Sequence, residues 1–95
     1  MLKVREIQIV PCKPQNGLIA FISLVWNNEL YLSDIALYTR PEGGYRLLYP
    51  TRKLSNGKQI EIFFPINKEA GRVIEDAVID KYCELTLKFR NLYKN

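Results

Sequence analysis

The stretch Thr51–Lys58 gathers Arg52, Lys53 and Lys58 with no acidic residue among them, and it adds the Thr51 and Ser55 hydroxyls. Cations, hydroxyls and the backbone amides of a glycine turn are the groups that hold phosphate oxygens. The same run also suits a plain solvated hairpin, because clusters of three charges are common on surfaces. A second group of cations, Lys88, Arg90 and Lys94, ends the chain. It can add to a polyanion site, or it can simply pair with the negative end of a helix dipole. Tyr45 and Tyr49 flank Arg46 close to the basic run. Exposed rings beside cations are what unstacked bases need. Cross-strand or core packing is preferred for Tyr31, Tyr38 and Tyr82.

Other chemistry is hard to build. Histidine is absent, which removes the usual acid–base near neutral pH and the Ser-His-Asp and Cys-His arrangements. Cys12 and Cys83 match no CxxC spacing and cannot make a zinc site alone. No phosphate-cradling GxxxxGK[ST] or GxGxxG motif occurs. Asp34 lies inside an otherwise apolar strand. It is read as a structural carboxylate, with a carboxylate pair to Glu61 as the alternative. No catalytic residues, metal, cofactor or small-molecule substrate are expected, so the chain is not read as an enzyme.

The elements that must position these residues follow from pattern. With 95 residues, 47% hydrophobic and 25% charged, one globular domain spanning 1–95 is expected. Residues 3–10 (KVREIQIV) read as a strand stopped by Pro11 and Pro14, and 11–17 as a turn cluster. Residues 18–26 (LIAFISLVW) are apolar almost throughout and read as a strand covered on both faces. Strict alternation puts Leu18, Ala20, Ile22, Leu24 and Trp26 on one face, and Ile19, Phe21 and Val25 on the other. Asn27-Asn28 turns the chain into a strand over 29–38, residues 39–44 form a loop, and 45–49 make a short strand. After the Asn56-Gly57 turn, 59–64 (QIEIFF) alternates as a strand again.

The period then changes. Asn67 suits a helix N-cap, and Glu69 and Glu75 lie toward the positive end of the dipole. Apolar residues recur at three- and four-residue steps to Leu92, which predicts an amphipathic helix over about 68–93. The expectation is an α+β fold: a twisted, mostly antiparallel sheet over about 3–64 with one long C-terminal helix. One helix covers one face. The second face (Ile19, Phe21, Val25) and the helix end (Phe89, Leu92) therefore ask for a partner, and a homodimer is the economical one.

Net charge is +4, but unevenly placed. Residues 1–58 hold eight basic and four acidic side chains, 59–85 three and six, and 86–95 three and none. The hairpin and the tail thus attract phosphate while the middle of the helix repels it; Arg5, Arg40 and Arg46 lie near the sheet edge. Residues 1–10 lack the apolar core of a secretory leader, and the longest apolar run is about half a membrane span. The expected setting is cytoplasmic and reducing, without a membrane.

Order and spacing complete the reading. Pro50-Thr51-Arg52-Lys53, then Asn56-Gly57, then Pro65-Ile66-Asn67 resemble the P-S-R-K-x-x-D-G…H-P-I-N signature of the stage V sporulation protein G (SpoVG), or septation regulator, family. Ser23, Glu29 and Asp34-Ile35 fall where that family has its A-S-I-T…E-F-V-V-x-D-I strands. Ile74, Ala77-Val78-Ile79 and Tyr82 match its I-x-x-A-V-L-x-x-Y helix. The resemblance covers roughly residues 4–82. Phe64 replaces His, Leu54-Ser55 replaces Thr-Pro, Gly71 stands where many members have Arg, and the 39–44 loop is one residue longer. The resemblance implies a small dimeric regulator of cell division and sporulation that binds DNA or RNA. The alternative is an adaptor whose helix end docks on another protein.

Overall fold

The computed structural model describes the backbone of residues 3–93 and the side chains of residues 3–87. Six strands precede one helix: β1 (Val4–Gln15), β2 (Leu18–Trp26), β3 (Leu30–Thr39), β4 (Tyr45–Leu48), β5 (Thr51–Lys53), β6 (Gln59–Glu61) and α1 (Lys68–Tyr93). The first four form an antiparallel sheet in the order β1-β2-β3-β4, and β5 and β6 pair as a separate ribbon. This is an α+β arrangement with the helix last, as the change of period predicts.

Turn chemistry fixes the meander. Asn16 and Gly17 have φ of 54° and 92°, and Asn27 and Asn28 have 54° and 57°. Two successive positive-φ residues give the backbone twist that tight hairpins need, and Asn and Gly adopt it at least cost. The prolines do not stop β1, which runs through Pro11 and Pro14 to Gln15. An edge strand has a side on which no amide donor is required, so proline is tolerated there. The turn shrinks accordingly to Asn16-Gly17.

Core parity is set by bulges. In β1, Glu6 and Ile7 oppose Leu24; in β3, Ser33 and Asp34 oppose Ser23. Glu6 and Asp34 have φ of 50° and 62°. Each bulge inserts one residue and switches which positions face inward. Val4 therefore shares the core side with Ile7 and Ile9, and Leu32 with Ile35 and Leu37. Asp34 is accordingly exposed; it is no buried carboxylate, because its place is the bulge and not the core side. β2 is irregular at Ile19, which has no counterpart between Tyr38 and Leu37. Leu18 pairs with Tyr38, while Ile19 packs against the core cluster. Strict alternation had these two on the opposite faces.

The helix begins as expected. The Ala70 amide donates to Asn67 Oδ1 at 2.8 Å, and Glu69 stands in the first turn. Ile74 and Val78 are buried against Ala20, Ile22, Leu24, Ile35 and Leu37. Val73, Ala77 and Tyr82 widen the stripe. Twenty-six residues make a rod of ~39 Å. The radius of gyration is 14.7 Å and the longest dimension 54 Å, against ~12 Å for a compact chain of this length. The chain is thus more extended than a compact fold of its length.

Candidate nucleic-acid interface

The basic run splits into strand β5 and the turn that leads into β6. β5 and β6 pair Thr51 with Glu61, Arg52 with Ile60 and Lys53 with Gln59. The turn is closed by the Leu54 amide on Lys58 O at 2.7 Å and the Gly57 amide on Leu54 O at 2.9 Å. The Lys58 amide donates to Asn56 Oδ1 at 3.0 Å. Gly57 has φ of 88°, and a methyl group placed on its Cα would meet nothing within 4 Å, so it serves the turn and no packing role. At the base, the Ile62 amide donates to Pro50 O at 2.8 Å. Beyond Glu61 the chain leaves strand geometry, so the strand expected over 59–64 is cut to half. Phe63 turns inward to meet Tyr49 edge-on at 5.9 Å.

Thr51, Arg52, Lys53 and Lys58 are all exposed. They do not share one surface. Successive strand residues point to opposite faces, so Arg52 projects with Ile60 and Lys53 with Gln59. Glu61 sits across from Thr51, an acidic neighbour that the local sequence hides. The ribbon is therefore cationic on both faces, with one carboxylate near its base.

Tyr82 packs on the core and Tyr38 faces Arg46 across the β3–β4 pair as expected, but Tyr45, Tyr49 and Tyr31 do not follow expectation. Tyr45 meets Tyr82 edge-on at 5.3 Å, and Tyr49 packs on the core. Burial, aided by the Glu75 carboxylate, pushes the Tyr49 phenol up to about 12. Neither ring is a free stacking platform. Tyr31 is 66% exposed instead, and Tyr38 carries Arg46 over its ring at 5.6 Å. The parity of β4 explains the exchange. Tyr45, Leu47 and Tyr49 face the helix, which leaves Arg46 and Leu48 on the far side.

That far side has a continuous apolar row. Val10 pairs with Phe21, Phe21 with Ala36, and Ala36 with Leu48, crossing all four strands. Val10, Phe21 and Leu48 are exposed. Phe21 and Val25 lie on this face as expected; Ile19 does not. The side chains of Lys88, Phe89, Arg90, Leu92 and Lys94 lie outside the described residues. Cys12 and Cys83 are both free thiols. Among the described residues no three His, Cys, Asp or Glu side chains gather as a metal site, and no helix is long and apolar enough to cross a membrane.

Comparison with known proteins agrees with the layout. The SpoVG family model matches residues 2–84, which take in the sheet, the ribbon and the packed half of the helix. A SpoVG protein of Finegoldia magna is 32% identical over 83 residues, covering 87% of this chain and 76% of the relative. One from Archaeoglobus fulgidus is 27% identical, covering 88% and 98%. One from Clostridioides difficile is 25% identical, covering 93% and 95%. All three carry septation in their names. With its motifs on the ribbon and at the helix start, and the match running through both, the chain belongs to the SpoVG family.

Proposed function

We propose that this chain is a small homodimeric regulator that binds DNA or RNA, acting in septation and gene control. One observation carries the reading: the β5–β6 ribbon exposes Arg52, Lys53 and Lys58 on both its faces. Cations of this kind hold phosphates and release counterions, so affinity falls steeply with salt. In a two-fold dimer each ribbon is present twice, and a modest charge becomes a bivalent one. The row Val10, Phe21, Ala36 and Leu48 supplies an apolar seam for the second copy.

The test is a mobility shift with mixed DNA and RNA probes at two salt concentrations. The double variant Arg52→Ala/Lys53→Ala should weaken binding to all sequences alike. The log–log salt slope should drop by roughly 1 for each phosphate that is no longer neutralised, with the dimer intact. Unchanged affinity removes the ribbon from the mechanism.

A protein-docking reading has one observation in its favour. An apolar groove of about 300 Å³ lies between the sheet end and the helix start, lined by Trp26, Leu32, Phe64 and Ile66, and Ile66 is 88% exposed. Protein partners that survive nuclease treatment in a pull-down, with no nucleic acid retained, would favour it.

A further inference from the structure

Away from the ribbon, the β1–β2 and β3–β4 turns meet at one end of the sheet. Between them is an open cleft of about 530 Å³, lined by Asn16, Gly17, Tyr38, Arg40, Glu42 and Arg46 among others. That volume falls in the range of small-ligand sites. Its construction is specific. The Thr39 amide and hydroxyl both donate to Gly17 O, at 2.9 and 3.4 Å, and tie the two turns together. A methyl at Gly17 would meet Thr39 O at 3.4 Å and the Tyr38 ring at 3.6 Å, ordinary contacts, so glycine is required here by the φ of 92° and not by space.

Two cations are held in place there. Arg40 donates from Nε to Tyr45 O at 3.2 Å, while its own loop is closed by the Arg40 amide on Gly44 O at 3.0 Å. That anchors the guanidinium and leaves its two terminal nitrogens for a ligand. Arg46 sits over the Tyr38 ring at 5.6 Å. A guanidinium positioned in this way is a flat cation on which a base can stack. Glu42 and Asn16 add a carboxylate and an amide. A site for inorganic phosphate alone would gain nothing from the carboxylate. A base with an exocyclic amino group would, because it donates to such an acceptor.

We propose that this cleft takes one unstacked nucleotide of a single-stranded nucleic acid. Arg40 holds the phosphate, Arg46 backed by Tyr38 stacks on the base, and Glu42 and Asn16 meet the base edge. The proposal rests on the nucleic-acid reading above and sharpens it toward single strands. Arg52 lies six positions beyond Arg46, a reach of no more than about 22 Å. One strand can therefore lie on cleft and ribbon together. A duplex keeps its bases stacked and offers the cleft nothing to hold.

Fluorescence anisotropy tests this on the full chain, with a labelled mixed-sequence single strand and the same strand annealed to its complement. Arg46→Ala should weaken single-strand binding by at least about fivefold, the loss of one stacked base, and leave duplex binding within about twofold. Arg46→Lys keeps the charge and loses the plane, so it should behave like Arg46→Ala. Arg52→Ala/Lys53→Ala should weaken both probes. Equal losses on both probes for Arg46→Ala, full binding by Arg46→Lys, or no effect of either would overturn the cleft and leave the ribbon standing. Wild-type chain that binds neither probe would overturn both.

Discussion

Tyr49 shows burial acting on a single proton. Packed against Phe63 and facing Glu75, its phenol is pushed up to about 12 from 10.0. Below pH 10 the phenol is neutral in both folded and unfolded chains, and stability is complete. Between 10 and 12 the unfolded chain ionises while the folded one does not, so stability falls as pH rises through that window. Urea midpoints should drop across it in the native chain and drop less in Tyr49→Phe, with tyrosinate absorbance reporting the late titration. The same residue marks a limit of reading by sequence. Tyr45 and Tyr49 flank Arg46 and look like a stacking pair, whereas their common parity with Leu47 is the better signal. Three alternate large residues in a short strand define an inward face. Arg46, the odd member, is the one left at the cleft.

At the scale of elements, the start of α1 contains two substitutions of opposite sign. Asn67→Ala removes the acceptor for the Ala70 amide and should cost ~1 kcal/mol. Gly71→Ala adds a methyl at 3.7 Å from Pro65 Cβ, ordinary contact distance, and should add ~0.5–1 kcal/mol by restricting the unfolded chain and favouring helix. Thermal denaturation of both variants beside the native chain checks the pair. The helix was legible because its cap, first turn and stripe all agree. The strands were legible in place but not in facing. Val4, Ile7 and Ile9 are spaced three and then two apart, and Leu32 and Ile35 are three apart; neither spacing fits a regular strand. Such a break in parity is the trace a bulge leaves, and Asp34, a residue type that tolerates positive φ, marks one of them. Because both bulges flank β2 at the Ser23–Leu24 level, they switch the facing of β1 and β3 together and keep a single core.

For the whole molecule the decisive quantity is area left uncovered. The helix covers one face, and the row from Val10 to Leu48 occupies the other. If two copies share this seam, light scattering of the native chain gives twice 11.1 kDa. Phe21→Glu should then give a monomer with unchanged far-ultraviolet dichroism, since Phe21 faces away from the helix-side core. A native chain that scatters as one copy at micromolar concentration would remove the seam. Composition alone exposes this surplus, because β2 carries more apolar residues than one helix can cover. It does not expose the cleft, whose members come from two turns far apart in sequence and meet only through the β2–β3 register.

The prolines of β1 have a consequence at high concentration. Fibre growth by strand addition needs an uninterrupted row of amide donors on a free border. Pro11 and Pro14 interrupt the amide row of β1, one border of the sheet, and the opposite border, β4, is only four residues long. Neither flank is a good template for endless stacking, which leaves the face from Val10 to Leu48 as the surface for the proposed pairing of two copies.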